Sequence, residues 1–319
     1  MQDTANAFDD SMLDLSDDEW LERLSQIGEE HGYFQPLGDQ HCAVFIDQKP
    51  QLLVTFETLT SAQTSTDLGQ PMGFDLVRAL GWSHLALISD GDTWFRRDHV
   101  YGFFDRLIDD GFFEEFDNVV FYGKGSCGYA AAAYSVACPG STVIAIQPQA
   151  TLEPRLTHWD ERFHPIRMTS FTDRYGFAPD MLEAAERAFV IYDPADTFDS
   201  MHAALYRRPN VTPVRLHHMG EDLETHLVEM QILYRMLAKA MSRKLTPGAM
   251  FKLLRARREY LVYLRTLALN LRHRDRPAYE ALVLRNITRR MRAPRLAQRL
   301  RELEAEAEKG RLHIPGEHA

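Results

Sequence analysis

Cysteine is scarce in this chain. Cys42, Cys127 and Cys138 are the only three in 319 residues, and no two stand in C-x-x-C spacing, which excludes a disulfide-stapled scaffold and the common zinc and dithiol motifs. Long apolar runs are missing too: nothing approaches the ~20 residues that a membrane-crossing helix needs. The start, Met1-Gln2-Asp3-Thr4, lacks a basic stretch followed by an apolar one, so no secretory leader is read there. The chain is therefore expected to be soluble and cytoplasmic, without a membrane span. A G-x-x-x-x-G-K-[ST] phosphate loop is absent, as are helix-turn-helix, finger and repeat patterns. His158 and His164 lack paired ligand spacing. Neither a metal site nor a cofactor is expected.

What is present supports a large core. Hydrophobic residues make up 45% of the chain and aromatic residues 11%, enough for one sizeable α/β domain with an appendage. Charge is divided unevenly. Residues 1–234 carry 15 Lys and Arg against 38 Asp and Glu, whereas residues 235–311 carry 21 against 7. Such asymmetry marks either an anionic partner for the basic part or docking of that part on the chain's own acidic body. The basic part also carries helical stripes of Leu and Met and few aromatics, so nucleic acid is not an expected partner. Because the basic stretch carries the apolar residues of packed helices, docking on the chain's own body is the favoured reading, with a protein partner or a homo-oligomer through the C-terminal helices as the alternative.

The order of elements is legible from periodicity. Ser16-Asp17-Asp18-Glu19 is a capping-box pattern, followed at helical spacing by Trp20, Leu21, Leu24 and Ile27. Apolar runs at 41–47 and 51–58, split by Gln48-Lys49-Pro50, predict a strand, a turn and a strand. Short β-type runs at 85–89, 119–122, 142–146, 189–192 and 214–217 then alternate with helical segments, which predicts a mainly parallel sheet with helices on both faces. The domains read as an acidic helical segment over 1–40, an α/β domain over 41–230, and a basic helical extension over 231–319. An aromatic-rich insertion at about 150–186 reads either as a cap over the pocket or as a loop filling its own small core.

The chemistry centres on Val119-Val120-Phe121-Tyr122-Gly123-Lys124-Gly125-Ser126-Cys127-Gly128-Tyr129-Ala130-Ala131. An apolar strand, a glycine-rich turn and a helix opening on small residues make a nucleophile elbow. Together with Ala145-Ile146-Gln147-Pro148-Gln149 and Asp92-Thr93-Trp94-Phe95, the stretch resembles a bacterial group of α/β-hydrolase-fold proteins whose elbow reads Y-G-H-S-M-G-G-Y-G-A. The resemblance covers roughly residues 50–230 and implies an α/β-hydrolase-like fold. It aligns the family's histidine with Lys124, its nucleophilic serine with Gly125, its methionine with Ser126 and its next glycine with Cys127. Relatives with this glycine-and-cysteine turn are often labelled phosphoadenosine phosphosulfate reductase, yet the S-G-G-K-D-S-like loop and E-C-G-x-H motif of such reductases are absent.

In chain order the acid should follow a late strand and the histidine the last one. Asp196 stands at the acid position, with Asp193 and Asp199 nearby, and Glu221 stands where the histidine is expected. Two of the three catalytic roles are thus missing, and glycine has no side chain to attack a carbonyl. The primary expectation is a non-catalytic member of the fold that binds a small anionic ligand at Lys124, Gly125 and Ser126, where backbone N–H groups and a helix start favour negative charge, or that binds a protein partner. The alternative is an atypical acyl hydrolase or transferase using Ser126 or Cys127 with Asp196 and a nearby histidine, His218 being the candidate. A sulfur-compound reductase is a distant third.

Overall fold

Apolar segments rich in Val, Ile, Leu and Phe form the sheet. The computed structural model describes residues 7–166 and 168–315. Its strands are β1 (Gly32–Pro36), β2 (His41–Ile46), β3 (Gln51–Thr58), β4 (Ser83–Ser89), β5 (Asn118–Lys124), β6 (Thr142–Ile146), β7 (Arg187–Tyr192) and β8 (Val211–Arg215). They lie in one sheet in the order β1-β2-β4-β3-β5-β6-β7-β8. The pairs β1–β2 and β2–β4 are antiparallel and the rest parallel. Every residue of β2 and β4 is buried, as strands covered on both faces require. This strand order, with helical crossovers on both faces, is the expected α/β-hydrolase-like architecture.

Helices α1 (Asp17–His31), α2 (Leu59–Thr64), α3 (Phe74–Leu80), α4 (Asp98–Asp109) and α5 (Ser126–Tyr134) cover the first half of the sheet. The capping box closes as expected: the Ser16 backbone N–H donates to Glu19 at 2.9 Å, and Ser16 Oγ accepts from the Glu19 backbone N–H. One face of the sheet packs against α4 and α5 through Phe56, Phe104, Phe121 and Tyr134. Trp20, Leu24 and Ile27 of α1 pack with Val44 and Ala86 on the other. The expected N-terminal helical segment does not stop at the helix. Residues 32–36 leave it at Gly32 and extend the sheet, because a Cβ there would lie 2.2 Å from the Phe45 carbonyl oxygen.

The insertion holds two single-turn helices, α6 (Pro154–Thr157) and α7 (Ala178–Met181). Several of its aromatic residues join the core that α4 and α5 make with the sheet. Tyr175 packs on Tyr101 and Tyr134, Phe171 on Tyr129, and Phe163 on Trp94. Buried Arg96 anchors the segment by donating to the Arg174 carbonyl at 2.7 Å and the Ser170 carbonyl at 3.2 Å. A second anchor follows from α8 (Thr197–Leu205). His202 Nδ1 accepts from the Ala150 N–H at 3.1 Å, which leaves Nε2–H to donate to Asp160 at 3.0 Å. Arg162 bridges Asp160 and Asp199 at 2.8 Å each.

After β8 the chain forms α9 (Leu223–Glu229), α10 (Leu233–Met241), α11 (Pro247–Leu253), α12 (Leu261–His273), α13 (Pro277–Arg290) and α14 (Pro294–Glu308). The extension expected from residue 231 divides in two. Leu233, Met236, Leu237 and Met250 share a core with Val120, Ile144 and Ile191 of the sheet, so α10 and α11 belong to the α/β domain. Leu264, Ala268, Leu284, Ile287, Leu300 and Leu303 make a separate small core among α12, α13 and α14. Ion pairs within that unit join Arg272 and Arg299 to Glu280 and Arg285 to Glu304, and Arg290 pairs with Glu259 just before α12. Among the described residues no helix is long and apolar enough to cross a membrane.

Candidate functional site

Strand β5 runs through Gly123 and Lys124, two residues beyond the expected end, and turns at Gly125 into α5. Gly125 has φ 60° and ψ −124°, the left-handed half of the map that favours glycine. This is the strained conformation that an elbow imposes on its nucleophile. Neighbouring glycines make the turn possible. A Cβ at Gly123 would lie 2.2 Å from the Cys127 carbonyl oxygen, and one at Gly128 would lie 3.1 Å from the carbonyl oxygens of Gly123 and Ile146. At Gly125 a Cβ would meet nothing within 4 Å. The elbow is therefore complete in backbone, and the place of its nucleophile is open space.

That space belongs to a cavity of about 280 Å³ at the carboxyl ends of β3 and β5, where ligands bind in open parallel sheets. Lys124, Gly125, Ser126 and Cys127 all line it, together with Glu57, Asp92, Tyr122 and Glu224. Ser126 Oγ donates to Asp92 Oδ1 at 2.7 Å. Burial pushes the Cys127 thiol far above its ordinary range, and the nearby Asp92 carboxylate adds to the effect, which opposes thiolate formation. Lys124 Nζ lies 2.9 Å from Asp222 and 3.9 Å from Glu224.

Three carboxylates face this one ammonium. Glu57 is 4% exposed; it accepts from Thr55 Oγ1 at 2.7 Å and from the Met72 N–H at 3.1 Å. Because the Thr55 proton goes to Glu57, His84 Nε2–H donates to Thr55 Oγ1 at 2.9 Å. Burial raises the Glu57 carboxyl to about 7 and outweighs those hydrogen bonds. Burial also raises Glu224, against the opposing effects of the Tyr122 hydroxyl that donates to it and of Lys124. The lining around Lys124, Gly125 and Ser126 thus holds three carboxyl groups, Glu57, Asp92 and Glu224, beside one ammonium.

The other catalytic candidates lie elsewhere. Asp196 caps α8 by accepting from the Asp199 N–H at 2.8 Å. Asp193 is 2% exposed and contacts the loop after β8, accepting from the N–H groups of Met219 at 2.9 Å and Gly220 at 3.0 Å, and from Ala195 at 2.9 Å. The carboxylate at the end of β7 thus holds the loop by its backbone. His218 has φ 66°, and its Nδ1 accepts from Asn270 Nδ2 on α12 at 2.8 Å; burial lowers its pKa. Neither Asp196 nor His218 lines the cavity, Glu221 is exposed, and among the described residues no histidine lines it. No group of three or more His, Cys, Asp or Glu side chains among the described residues could hold a metal ion.

Sequence reasoning missed Glu57 and Glu224 and used Asp92 only as part of a motif. The signal for Glu57 was present: Leu53, Thr55 and Glu57 share one face of an otherwise apolar strand, and an acid at the buried end of such a strand calls for a reason. Glu224 carries no comparable signal, since a first-turn acid on a helix is ordinary.

No family model matches the chain, and no curated protein matches it. Solved structures similar to it include a glycosylation-associated protein complex of Streptococcus agalactiae at 14% identity and TM-score 0.41, covering 62% of this chain. The chain spans 44% of the length of that protein. An esterase of Pyrococcus furiosus is 13% identical at TM-score 0.40, covering 64% of this chain and 87% of that one. An esterase of Pyrobaculum calidifontis is 12% identical at TM-score 0.43, covering 73% and 95%.

Proposed function

We propose that this α/β-hydrolase-fold chain performs no serine-hydrolase chemistry and uses the cavity above its elbow to bind a small polar ligand. One observation carries the reading: Gly125 holds the backbone conformation of a nucleophile, with open space where the nucleophile's side chain would stand. Ser126 does not replace it. Its hydroxyl is committed to Asp92, and among the described residues no imidazole lines the cavity to take its proton. Cys127 does not replace it either, because its buried thiol resists ionisation.

The lining favours hydroxyl or ammonium donors over the anion expected from the turn. Glu57, Asp92 and Glu224 are acceptors around a volume that suits a molecule of a few heavy atoms up to a small sugar-like polyol. Two measurements test the reading. Intact-mass analysis after a fluorophosphonate, and separately after iodoacetamide, should give no adduct at Ser126 and alkylation of Cys127 no faster than of Cys42 or Cys138. A stoichiometric adduct at Ser126, or selective alkylation of Cys127, would establish the atypical acyl hydrolase instead. A thermal-shift screen of small amines, polyols, carboxylates and phosphates should give upshifts among the first two classes that Glu224→Gln reduces; upshifts confined to carboxylates and phosphates would restore the anion site.

A further inference from the structure

The first turn of α1 and the β1–β2 turn flank a groove of about 600 Å³ with an apolar floor and an acidic rim. Leu21, Phe34 and Ile88 contribute to the floor, while Asp18, Glu22 and Asp39 stand on the rim. None of these three carboxylates has an ion-pair partner among the described residues. The complementary surface is on α12. Val262 and Leu269, one heptad apart, are 40% and 48% exposed. Arg265 and His273 lie on the same side of that helix and are exposed, since residues three, seven and eleven apart share a helix face. Apolar side chains interleaved with an arginine and a histidine, left in solvent, form the kind of helix face that lies in a groove.

Within one chain the two surfaces are kept apart. The groove lies beside β2, whereas α12 is tied to His218, just beyond β8, through Asn270. Strands β2 and β8 are six places apart in the sheet, which at ~4.8 Å per place is about 29 Å. Among the described residues, Arg272 and Arg299 pair with Glu280 and Arg285 with Glu304 inside the helical unit, and Arg290 pairs with Glu259 just before it.

We propose that the exposed face of α12 from one copy of this chain seats in the acidic groove beside α1 of a second copy. Val262 and Leu269 cover the apolar floor, and Arg265 and His273 meet Asp18 and Glu22. Because the surfaces differ, the contact joins unlike patches, which close as a reciprocal pair or a ring or run on as an open chain of copies. Charges of opposite sign also make the association dependent on salt.

Sedimentation velocity on the full chain across 1–100 µM tests the proposal at about 25 mM and 500 mM salt, where the Debye length is roughly 20 Å and 4 Å. The expected result is concentration-dependent association at low salt, weakened at least tenfold at high salt. The double variants Asp18→Lys with Glu22→Lys, and Arg265→Glu with His273→Glu, should each be monomeric alone. The four-fold variant, with groove and helix both reversed, should regain association among its own copies, because both partners of the contact are then inverted. A monomeric wild-type chain at every concentration, or association indifferent to both double variants, or a four-fold variant that remains monomeric with native circular dichroism and melting, would overturn it.

Discussion

Restoring the missing hydroxyl is the sharpest perturbation of the elbow. In Gly125→Ser the new Cβ meets no atom within 4 Å, so the cost is conformational and not steric. A non-glycine residue held at φ 60° and ψ −124° stores strain of about 1–3 kcal/mol. Loss of the unfolded chain's glycine entropy offsets this by up to about 1 kcal/mol. The net expectation is a folded protein destabilised by about 1–2 kcal/mol, read as a lower urea midpoint with an unchanged slope. Gly123→Ala is the control, because its Cβ would lie 2.2 Å from a backbone carbonyl oxygen; relief requires moving β5 against α5, and the loss should exceed about 4 kcal/mol. Gly125→Ser should also stay inert to fluorophosphonate, since among the described residues no histidine lines the cavity to activate the hydroxyl. Rapid labelling of Gly125→Ser would refute that reasoning by revealing a base within reach. A stability loss equal to that of Gly123→Ala would refute the open space at Gly125.

Three further outcomes are expected. The Glu57 carboxyl, raised by burial to about 7 from 4.5, binds its proton more tightly folded than unfolded, so stability is fully present below pH 4.5, falls as pH rises toward 7, and then levels off. Glu57→Gln should therefore gain about 2–3 kcal/mol relative to wild type between pH 5 and pH 8 in paired urea titrations; a difference independent of pH would mean that Glu57 is already ionised at pH 5. Asp193→Ala strips an acceptor from three backbone N–H groups and should cost about 3 kcal/mol or more, with faster proteolysis around residues 217–222. Asp196→Ala removes a helix cap and should cost only about 1 kcal/mol; a ranking in which Asp196 matters more would reverse the assignment of the two carboxylates. Tyr122→Phe leaves Glu224 without its hydroxyl donor and should raise the Glu224 carboxyl further, detectable by carboxyl-resolved NMR titration.

The sheet was legible because a strand buried on both faces writes a continuous apolar run, as Leu85-Ala86-Leu87-Ile88 does, and because Gly123-Lys124-Gly125 interrupts such a run with residues that only a sharp turn wants. Strand β1 was not legible. Its residues are half-buried or exposed and follow the helix without a proline or turn cluster, so pairing with β2 decides their conformation and local sequence does not. The insertion's aromatics were legible as buried but not as to where, since Tyr175 and Phe171 reach their partners Tyr101 and Tyr129 across sequence separations that no periodicity encodes.

The site divides along the same line. Gly125, Ser126 and Cys127 are adjacent in sequence, and the turn that unites them is local, so their shared cavity could be anticipated from spacing alone. The acid and the base of a hydrolase come from separate strands, and matching them by chain order chose Asp196, whereas the folded chain brings Asp193 to the loop after β8. The charge of the cavity is the least local property of all. Glu57 arrives from β3, Asp92 from the turn after β4 and Glu224 from α9, and their convergence sets carboxyl groups beside Lys124 and the start of α5. An elbow emptied of its nucleophile and ringed by acceptors is consequently a different object from the anion cradle that the same turn makes in isolation. Three of the carboxyl groups that line the cavity come from residues that the turn's own sequence does not contain.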